Sequence, residues 1–363
     1  MTMESSDTLG EIVHRVRKGL AIAAVLPLFT LVQAGDAAAA PTCTMSSHCY
    51  GIANLPLRIN GATTNLKVTC MSVTNWRNEL VTEEMWVSTN GSWNYWVELG
   101  MTVGTPVSTR KMFWADNRPN GGGYHEHYPS TAATLNHTYI NTISYAGGNA
   151  WNVYIQGGSP IGTSGANPGP SVGAQVGEEI TTNSAKGAAT HTSLWYKDTG
   201  NTFHAGWPNS TISQDVPPRA AWISTHNSMR AYSNCTAPSV AEKQGVAAVS
   251  SPATVDSVLD VARLLAEQNG DANPTGISYV KTTRQQATSL VGTDQVDTDQ
   301  DAYLVQLHGN FVGHAAKTPP GGAKPTGTVL TASVDAATGE LLDWSLTDSA
   351  AELNKLGPAT TVQ

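Results

Sequence analysis

Trp93-Asn94-Tyr95-Trp96-Val97-Glu98-Leu99-Gly100 carries a single carboxylate through a run of aromatic and apolar residues. In an extended strand Tyr95, Val97 and Leu99 point to one side, and Trp96, Glu98 and Gly100 to the other. Residues 84–103 read as two strands joined by a turn. Outward from there, the chain between Cys43 and Cys235 consists of short alternating or aromatic runs separated by Gly, Asn, Pro and Ser clusters. That is the pattern of an antiparallel β-sandwich of two packed sheets. Strands are predicted at 66–73, 84–88, 95–103, 110–115, 124–128, 138–145, 151–156, 174–181 and 191–197, with no long helix among them. Residues 157–173 have no periodicity and are expected to form a long loop bordering a binding cleft.

The chain has 363 residues, of which 13% are charged, with a net charge of -8. It is long enough for two domains, and its balance of charge disfavours a nucleic-acid partner. Residues 1–40 have the anatomy of a secretory signal. His14, Arg15, Arg17 and Lys18 precede an apolar run at 20–32, and small residues follow at 37–40. The run is about 13 residues where a membrane span needs about 20, so a secreted protein with no stable membrane association is expected. Thr42 before Cys43 argues against a lipid anchor. The four cysteines, Cys43, Cys49, Cys70 and Cys235, suit two disulfides in an oxidising compartment. Three pairings are possible. Cys43 with Cys49 and Cys70 with Cys235 is preferred, because the second bridge would close the two ends of the β-rich region.

After Cys235 tryptophan almost vanishes, and 237–252 is a small-residue stretch suited to a linker. The divisions are then 1–40, 41–236, 237–252 and 253–363, the last a small α+β domain. Residues 254–268 form the clearest amphipathic helix. Val255, Val258, Leu259, Ala262 and Leu265 lie on one face, and Asn269-Gly270 ends it. Strands are predicted at 277–283, 302–307, 328–334 and 341–346. The turn Asp335-Ala336-Ala337-Thr338-Gly339 joins the last two, and this hairpin resembles the closing hairpin of PepSY-type domains, which accompany or restrain secreted peptidases. Asp297, Asp299 and Asp301 alternate as calcium ligands do, but Ala302 and His308 replace the glycine and the distal glutamate of a calcium loop. A solvated acidic loop is expected.

No GxSxG elbow, HExxH or phosphate-binding loop is present. His125-Glu126-His127 puts two imidazoles on one strand face, which a third ligand such as His191 or His204 would turn into a metal site. Residues 129–136 lack the glutamate that the cupin pattern adds, so these histidines are taken to line a polar groove, and neither metal nor cofactor is expected. A second carboxylate comes from Gly173-Ala174-Gln175-Val176-Gly177-Glu178-Glu179-Ile180-Thr181. Here Gln175, Gly177, Glu179 and Thr181 share one face, with a gap at Gly177 that suits a cleft around Glu179. Glu178, on the other face, is expected to be exposed.

These stretches resemble the neprosin-type glutamic peptidases and, more distantly, the fungal scytalidoglutamic peptidases, in order over most of residues 79–200. Glu84-Met85-Trp86-Val87 resembles the strand preceding the first catalytic strand of neprosin-like proteins. Trp96-Val97-Glu98-Leu99-Gly100-Met101 resembles their I-E-A-G-W element, and Phe113-Trp114-Ala115-Asp116 with Gly122-Gly123-Tyr124 resembles Y-W-T-x-D and G-C-Y. Trp151-Asn152-Val153-Tyr154-Ile155-Gln156-Gly157 with Ile161-Gly162 resembles W-W-x-x-x-G and G-Y-W-P, and Val176-Gly177-Glu178-Glu179-Ile180 resembles W-G-G-E-V. Leu99, Val176 and Glu178 depart from the pattern, as does the lack of cysteines flanking the tyrosine. The resemblance implies catalytic roles for Glu98 and Glu179, a polypeptide substrate and cleavage after proline. Trp86, Trp96, Trp114, Tyr124 and Gln175 are candidates for the groove walls, with core packing as the alternative for the aromatics.

Two glutamates on one groove cannot both ionise cheaply, so the pair shares a proton over an acidic range and supplies an acid and a base. The same pair would serve a glycoside hydrolase, and aromatic residues with Asn, Asp and Gly also build lectin sites, so both remain alternatives. For the α+β domain, docking on the sandwich or restraint of its groove is expected.

Overall fold

The computed structural model describes residues 42–235 and 253–362. The predicted secretory signal at 1–40 and the linker at 237–252 lie outside the described residues. Along the chain the strands are β1 (Cys49–Leu55), β2 (Ile59–Ser72), β3 (Leu80–Ser88), β4 (Trp96–Gly104), β5 (Val107–Arg118), β6 (Gly123–His127), β7 (Thr138–Gly147), β8 (Ala150–Ile155), β9 (Gly162–Ser164), β10 (Gly173–Ile180), β11 (Lys186–Asp198), β12 (Phe203–Ala205), β13 (Thr211–Gln214), β14 (Arg219–Ser224) and β15 (Ser228–Ser233). There follow α1 (Val255–Gln268), β16 (Thr275–Thr283), α2 (Arg284–Val291), β17 (Gln295–Val296), β18 (Asp301–Val312), β19 (Thr326–Asp335), β20 (Leu341–Thr347) and β21 (Thr360–Thr361).

The strands form two antiparallel sheets. The first runs β13-β1-β10-β3-β4-β5-β6-β20-β19-β18-β16-β21, the second β14-β15-β11-β2-β7-β8-β9-β17. Alternation builds the core between them: Val81, Met85, Val87, Val97, Leu99, Met101, Trp114, Val176 and Ile180 of the first sheet pack on Leu66, Val68, Ile143, Trp151 and Val153 of the second. The opposite face of β3 to β6 is also covered. Trp86, Trp96, Phe113, Tyr124 and Tyr128 pack with Ala315 and Ala316 and join a cluster that includes α1. Strands β3 and β4 are therefore buried on both faces, their carboxylates Glu83, Glu84 and Glu98 included.

Residues 253–362 are hydrogen-bonded into the same sheets. Strand β20 pairs with β6 from Asp343↔His127 to Leu346↔Tyr124, and β17 pairs with β9. Helix α1 starts at a reciprocal cap: Thr254 Oγ1 accepts the Ser257 N–H at 3.2 Å, and Ser257 Oγ accepts the Thr254 N–H at 3.0 Å. It buries Val258, Leu259, Ala262, Leu265 and Ala266 and ends at Asn269. In the β19–β20 turn, Asp335 Oδ1 accepts the N–H groups of Ala337 and Thr338, both at 2.8 Å, and Gly339 takes φ +73°. Helix α2 has no counterpart among the predicted elements. Its eight residues are mostly polar, and what it buries is Arg284, Ala287 and Thr288.

The disulfides join Cys43 to Cys49 and Cys70 to Cys235, the preferred pairing. Asp297, Asp299 and Asp301 are exposed as expected, although Asp297 and Asp299 are also used: the first accepts from Ser130 and Arg284, the second from the Gln285 N–H at the start of α2. The loop after β8 contains the short strand β9 and packs on the inter-sheet side of the first sheet, with Gly162 against the Trp114 ring and Asn167 bonded to Asp116.

Candidate active site

Register decides which carboxylates meet. Across β3, Trp86 pairs with Glu98 of β4 and with Gln175 of β10; Glu84 pairs with Gly100 and Gly177; Thr82 pairs with Thr102 and Glu179. Directly opposed residues share a face, so Glu98, Glu84 and Glu179 form a diagonal across three adjacent strands. Gly100 leaves space beside Glu84, since a Cβ there would stand 2.4 Å from Glu84 Cβ, and Gly177 lets β1 approach closely, since a Cβ there would stand 2.1 Å from the Gly51 carbonyl oxygen. Glu126 follows on the same face, paired to Ala115, which is itself paired to Glu98. Glu84, Glu98, Glu126 and Glu179 are all fully buried.

The cover is the connection between β18 and β19. Lys317 is fully buried, with its ammonium on Glu126 Oε1. The Lys317 N–H donates to the Tyr124 hydroxyl at 3.3 Å, and the Thr318 N–H donates to Glu179 Oε1 at 3.2 Å. Tyr50, opposite Glu179 in β1, donates its hydroxyl to the Thr318 carbonyl at 2.7 Å. Further along, the Ala323 N–H donates to Asn94 Oδ1 at 3.0 Å. The Tyr124 hydroxyl lies 2.8 Å from Glu126 Oε2 and 3.2 Å from Glu98 Oε1. On the far side of Glu179, His48 Nδ1 meets Oε1, while His48 Nε2 is 2.6 Å from Lys324 Nζ. His48 Nε2 also lies 3.1 Å from the Met45 carbonyl, so the imidazole is held between that carbonyl and Glu179 with Lys324 beside it. The Cys43–Cys49 bridge anchors the segment that holds His48.

Burial pushes the Glu98 carboxyl well above the ordinary range, and the charges of Glu179 and Glu126 push it further, with Lys317 opposing. Glu84 is raised in the same way, by burial and by Glu98 and Glu179. Burial also lowers the Lys324 ammonium to about 8. One oxygen each of Glu84, Glu98 and Glu179 has no hydrogen-bond partner. Buried carboxylate oxygens without donors are costly, and Glu83 and Glu178 on the opposite face carry them as well.

The remaining sequence candidates divide between the two faces. Trp86, Trp96, Tyr124 and Gln175 share the face of Glu98. Trp114 does not: one position out of phase, it lies in the inter-sheet core and stacks on His127 at 4.1 Å between centroids. Glu178, expected at the surface, is fully buried between the sheets, where burial pushes its carboxyl up to about 8 and Ser233 donates to it at 2.6 Å. The expectation failed because the second sheet covers that face of β10. His125 and His127 are buried on the other face, where they line a small cavity with Thr288, Val291, Asp343 and Ser345. His127 binds Asp343 at 2.8 Å and Asp294 at 3.0 Å; against the cost of burial, these bonds raise it to about 9. His125, held by the Gly122 carbonyl at 2.8 Å, is pushed down to about 3, chiefly by burial. The metal ligands considered with them are elsewhere: His191 lies 3.6 Å from Glu83 and His204 2.7 Å from Asp198.

No protein-family model matches the chain, and no curated protein does. Solved peptidases resemble it distantly. Scytalido-glutamic peptidase with a peptide-based transition-state analogue is similar at TM-score 0.38 and 8% identity, over 53% of this chain and 98% of that one. SCP-B, a member of the eqolisin family of peptidases in complex with the tripeptide Ala-Ile-His, is similar at TM-score 0.35 and 9% identity, over 53% and 98%. These values leave assignment to the chain's own side chains.

Glu84, Glu126, His48, Tyr50, Lys317 and Lys324 were not among the sequence candidates. For Glu84 and Glu126 the signal was strand parity, since both fall in phase with a catalytic candidate once the strands are adjacent. For Lys317, in a Pro- and Gly-rich connection, local sequence carries no such signal.

Proposed function

We propose that the chain is a secreted endopeptidase of the glutamic type, with Glu98 and Glu179 as its catalytic residues. The observation that carries this reading is the Thr318 N–H on Glu179 with Glu98 on the same face: a peptide nitrogen lies against one carboxylate of a crowded acidic diagonal.

The surroundings of the two glutamates support different roles. Glu98, with its raised pKa, holds its proton and donates it as a hydrogen bond to the oxygen of the carbonyl under attack. Glu179 takes a proton from water as the water oxygen bonds to the carbonyl carbon. It passes that proton to the nitrogen as the C–N bond breaks, yielding a carboxylic acid and an amine with the glutamates restored. His48 and Lys324 orient Glu179, and Trp86, Trp96, Tyr124 and Gln175 form the walls. Residues 41–236 act as the catalytic part and 253–363 as the part that restrains it, with the polypeptide substrate displacing the cover. The two disulfides suit export, and among the described residues no helix is long and apolar enough to cross a membrane.

The test is digestion of an unfolded protein by the full chain at about pH 3–5, where carboxylates exchange protons, with a polysaccharide assayed in parallel. Glu179→Gln should abolish proteolysis, whereas Glu98→Gln, which keeps a donor, should reduce it. Proteolysis unchanged in both variants, or activity on the polysaccharide alone, would overturn the assignment.

A further inference from the structure

The contacts of Lys317 go beyond a lid. Its ammonium is fully buried on Glu126, which also accepts the hydroxyls of Tyr124 and Tyr128. The ammonium stands 5.1 Å from the Phe113 ring centroid and 5.8 Å from that of Tyr128. A carboxylate floor with aromatic walls is chemistry that selects a cation and rejects a neutral chain of the same length. The backbone joins this pocket to the catalytic pair: the amide nitrogen after Lys317 is the one held 3.2 Å from Glu179.

We propose that Glu126 is the floor of a subsite for a basic side chain on the acyl side of the bond to be cut, and that the stretch Ala315-Ala316-Lys317-Thr318-Pro319-Pro320 occupies the cleft as the chain's own substrate mimic. This rests on the peptidase reading and names its substrate class, peptides with lysine or arginine before the scissile bond. In the mimic, the Lys317–Thr318 peptide stands where that bond would be. Tyr50 holds the Thr318 carbonyl and Tyr124 the Lys317 N–H, fixing the backbone on both sides of it. Glu126 selects the side chain and takes no part in the proton transfers assigned to Glu98 and Glu179.

The experiment compares full-length wild type, Lys317→Met and Lys317→Met/Glu126→Gln on quenched peptides that differ only before the cleaved bond, as Lys, Arg, norleucine or Pro. Lys317→Met should cut the lysine and arginine peptides faster than wild type does, and faster than the norleucine and proline peptides by about tenfold or more. Adding Glu126→Gln should bring the lysine-to-norleucine ratio, taken within that variant whatever its absolute rate, to about one. Equal cleavage of the lysine and norleucine peptides, a preference for proline, or a ratio indifferent to Glu126→Gln would overturn the proposal. Should Lys317→Met fold poorly, a foreign protease site inserted at Gly321, where an added Cβ meets nothing within 4 Å, opens the connection with Lys317 unchanged. The same peptides then decide. If no form cuts any peptide, the peptidase reading falls and the subsite is judged by binding. A higher Tm of the opened protein with the lysine peptide than with the norleucine peptide supports it, and equal shifts overturn it.

Discussion

The Thr318 N–H donates to Glu179 at 3.2 Å across 139 residues of chain. A carboxylate in β10 thus accepts at one oxygen, Oε1, from a connection that follows β18, while Oε2 has no partner among the described residues. Lys324, from that connection, reaches the opposite side of Glu179 through His48.

Loss of the proton on Glu98 should set the alkaline limit of proteolysis. Its carboxyl is raised by burial and by Glu179 and Glu126, so activity should fall as pH climbs through that raised value. A glutamine keeps a donor at any pH. In a pH profile of peptide cleavage, Glu98→Gln should lose the alkaline fall while its maximal rate stays within about tenfold to a hundredfold of wild type. A fall at the same pH in the variant would assign it to another group.

Glu178 makes stability depend on pH in a definite direction. Its folded value is about 8 against an ordinary 4.5, because burial penalises the charge. The folded state therefore holds this proton where the unfolded state has released it, and the contribution is fully present below about pH 4.5 and lost as pH rises towards 8. Glu178→Gln should raise Tm at pH 8 by about 3 °C or more and leave it almost unchanged at pH 4. Thermal melts at the two pH values check this, and an equal shift at both would mean that the charge is not responsible.

Arg284 ties α2 to the sheet. It is buried, and it donates to both oxygens of Asp343, at 2.9 and 2.7 Å, and to the Tyr128 carbonyl at 3.0 Å. Arg284→Met leaves Asp343 with His127 as its remaining charged partner in a buried site, and should cost about 3–5 kcal/mol in chemical denaturation. Arg284→Met/Asp343→Asn should recover part of that loss.

Gly100→Ala should damage the site from within. The new methyl would lie 2.4 Å from both Glu84 Cβ and the Glu83 carbonyl oxygen, backbone that cannot yield without moving β3. A loss of about 2 kcal/mol or more is expected. Proteolysis should also decline at temperatures where circular dichroism still reports a folded sheet, since Glu84, Glu98 and Glu179 would be pushed apart.

Much of the fold was legible because it is local. The alternation around Glu98, the capped helix ending at Asn269, the Asp335 turn and the cysteine pairing all depend on neighbours in sequence or on a bridge closing a region. The departures have physical causes. Trp114 is one residue out of phase with the groove. Glu178 looked like a surface strand residue because β10 gives no sign of the second sheet above it. The histidines of β6 suggested a groove or a metal, whereas their partners, Asp294 and Asp343, arrive from more than 160 residues away.

By itself the sequence determined the strand periods and the faces on which Glu98 and Glu179 fall, since side-chain direction in a strand follows from backbone geometry alone. Only the tertiary structure decided that β10 and β4 flank β3, that Glu84 and Glu126 join the same acidic surface, and that Lys317 is buried on it. Pairing between distant strands and burial of a charge in a loop are settled by what packs against them, and no local pattern encodes that.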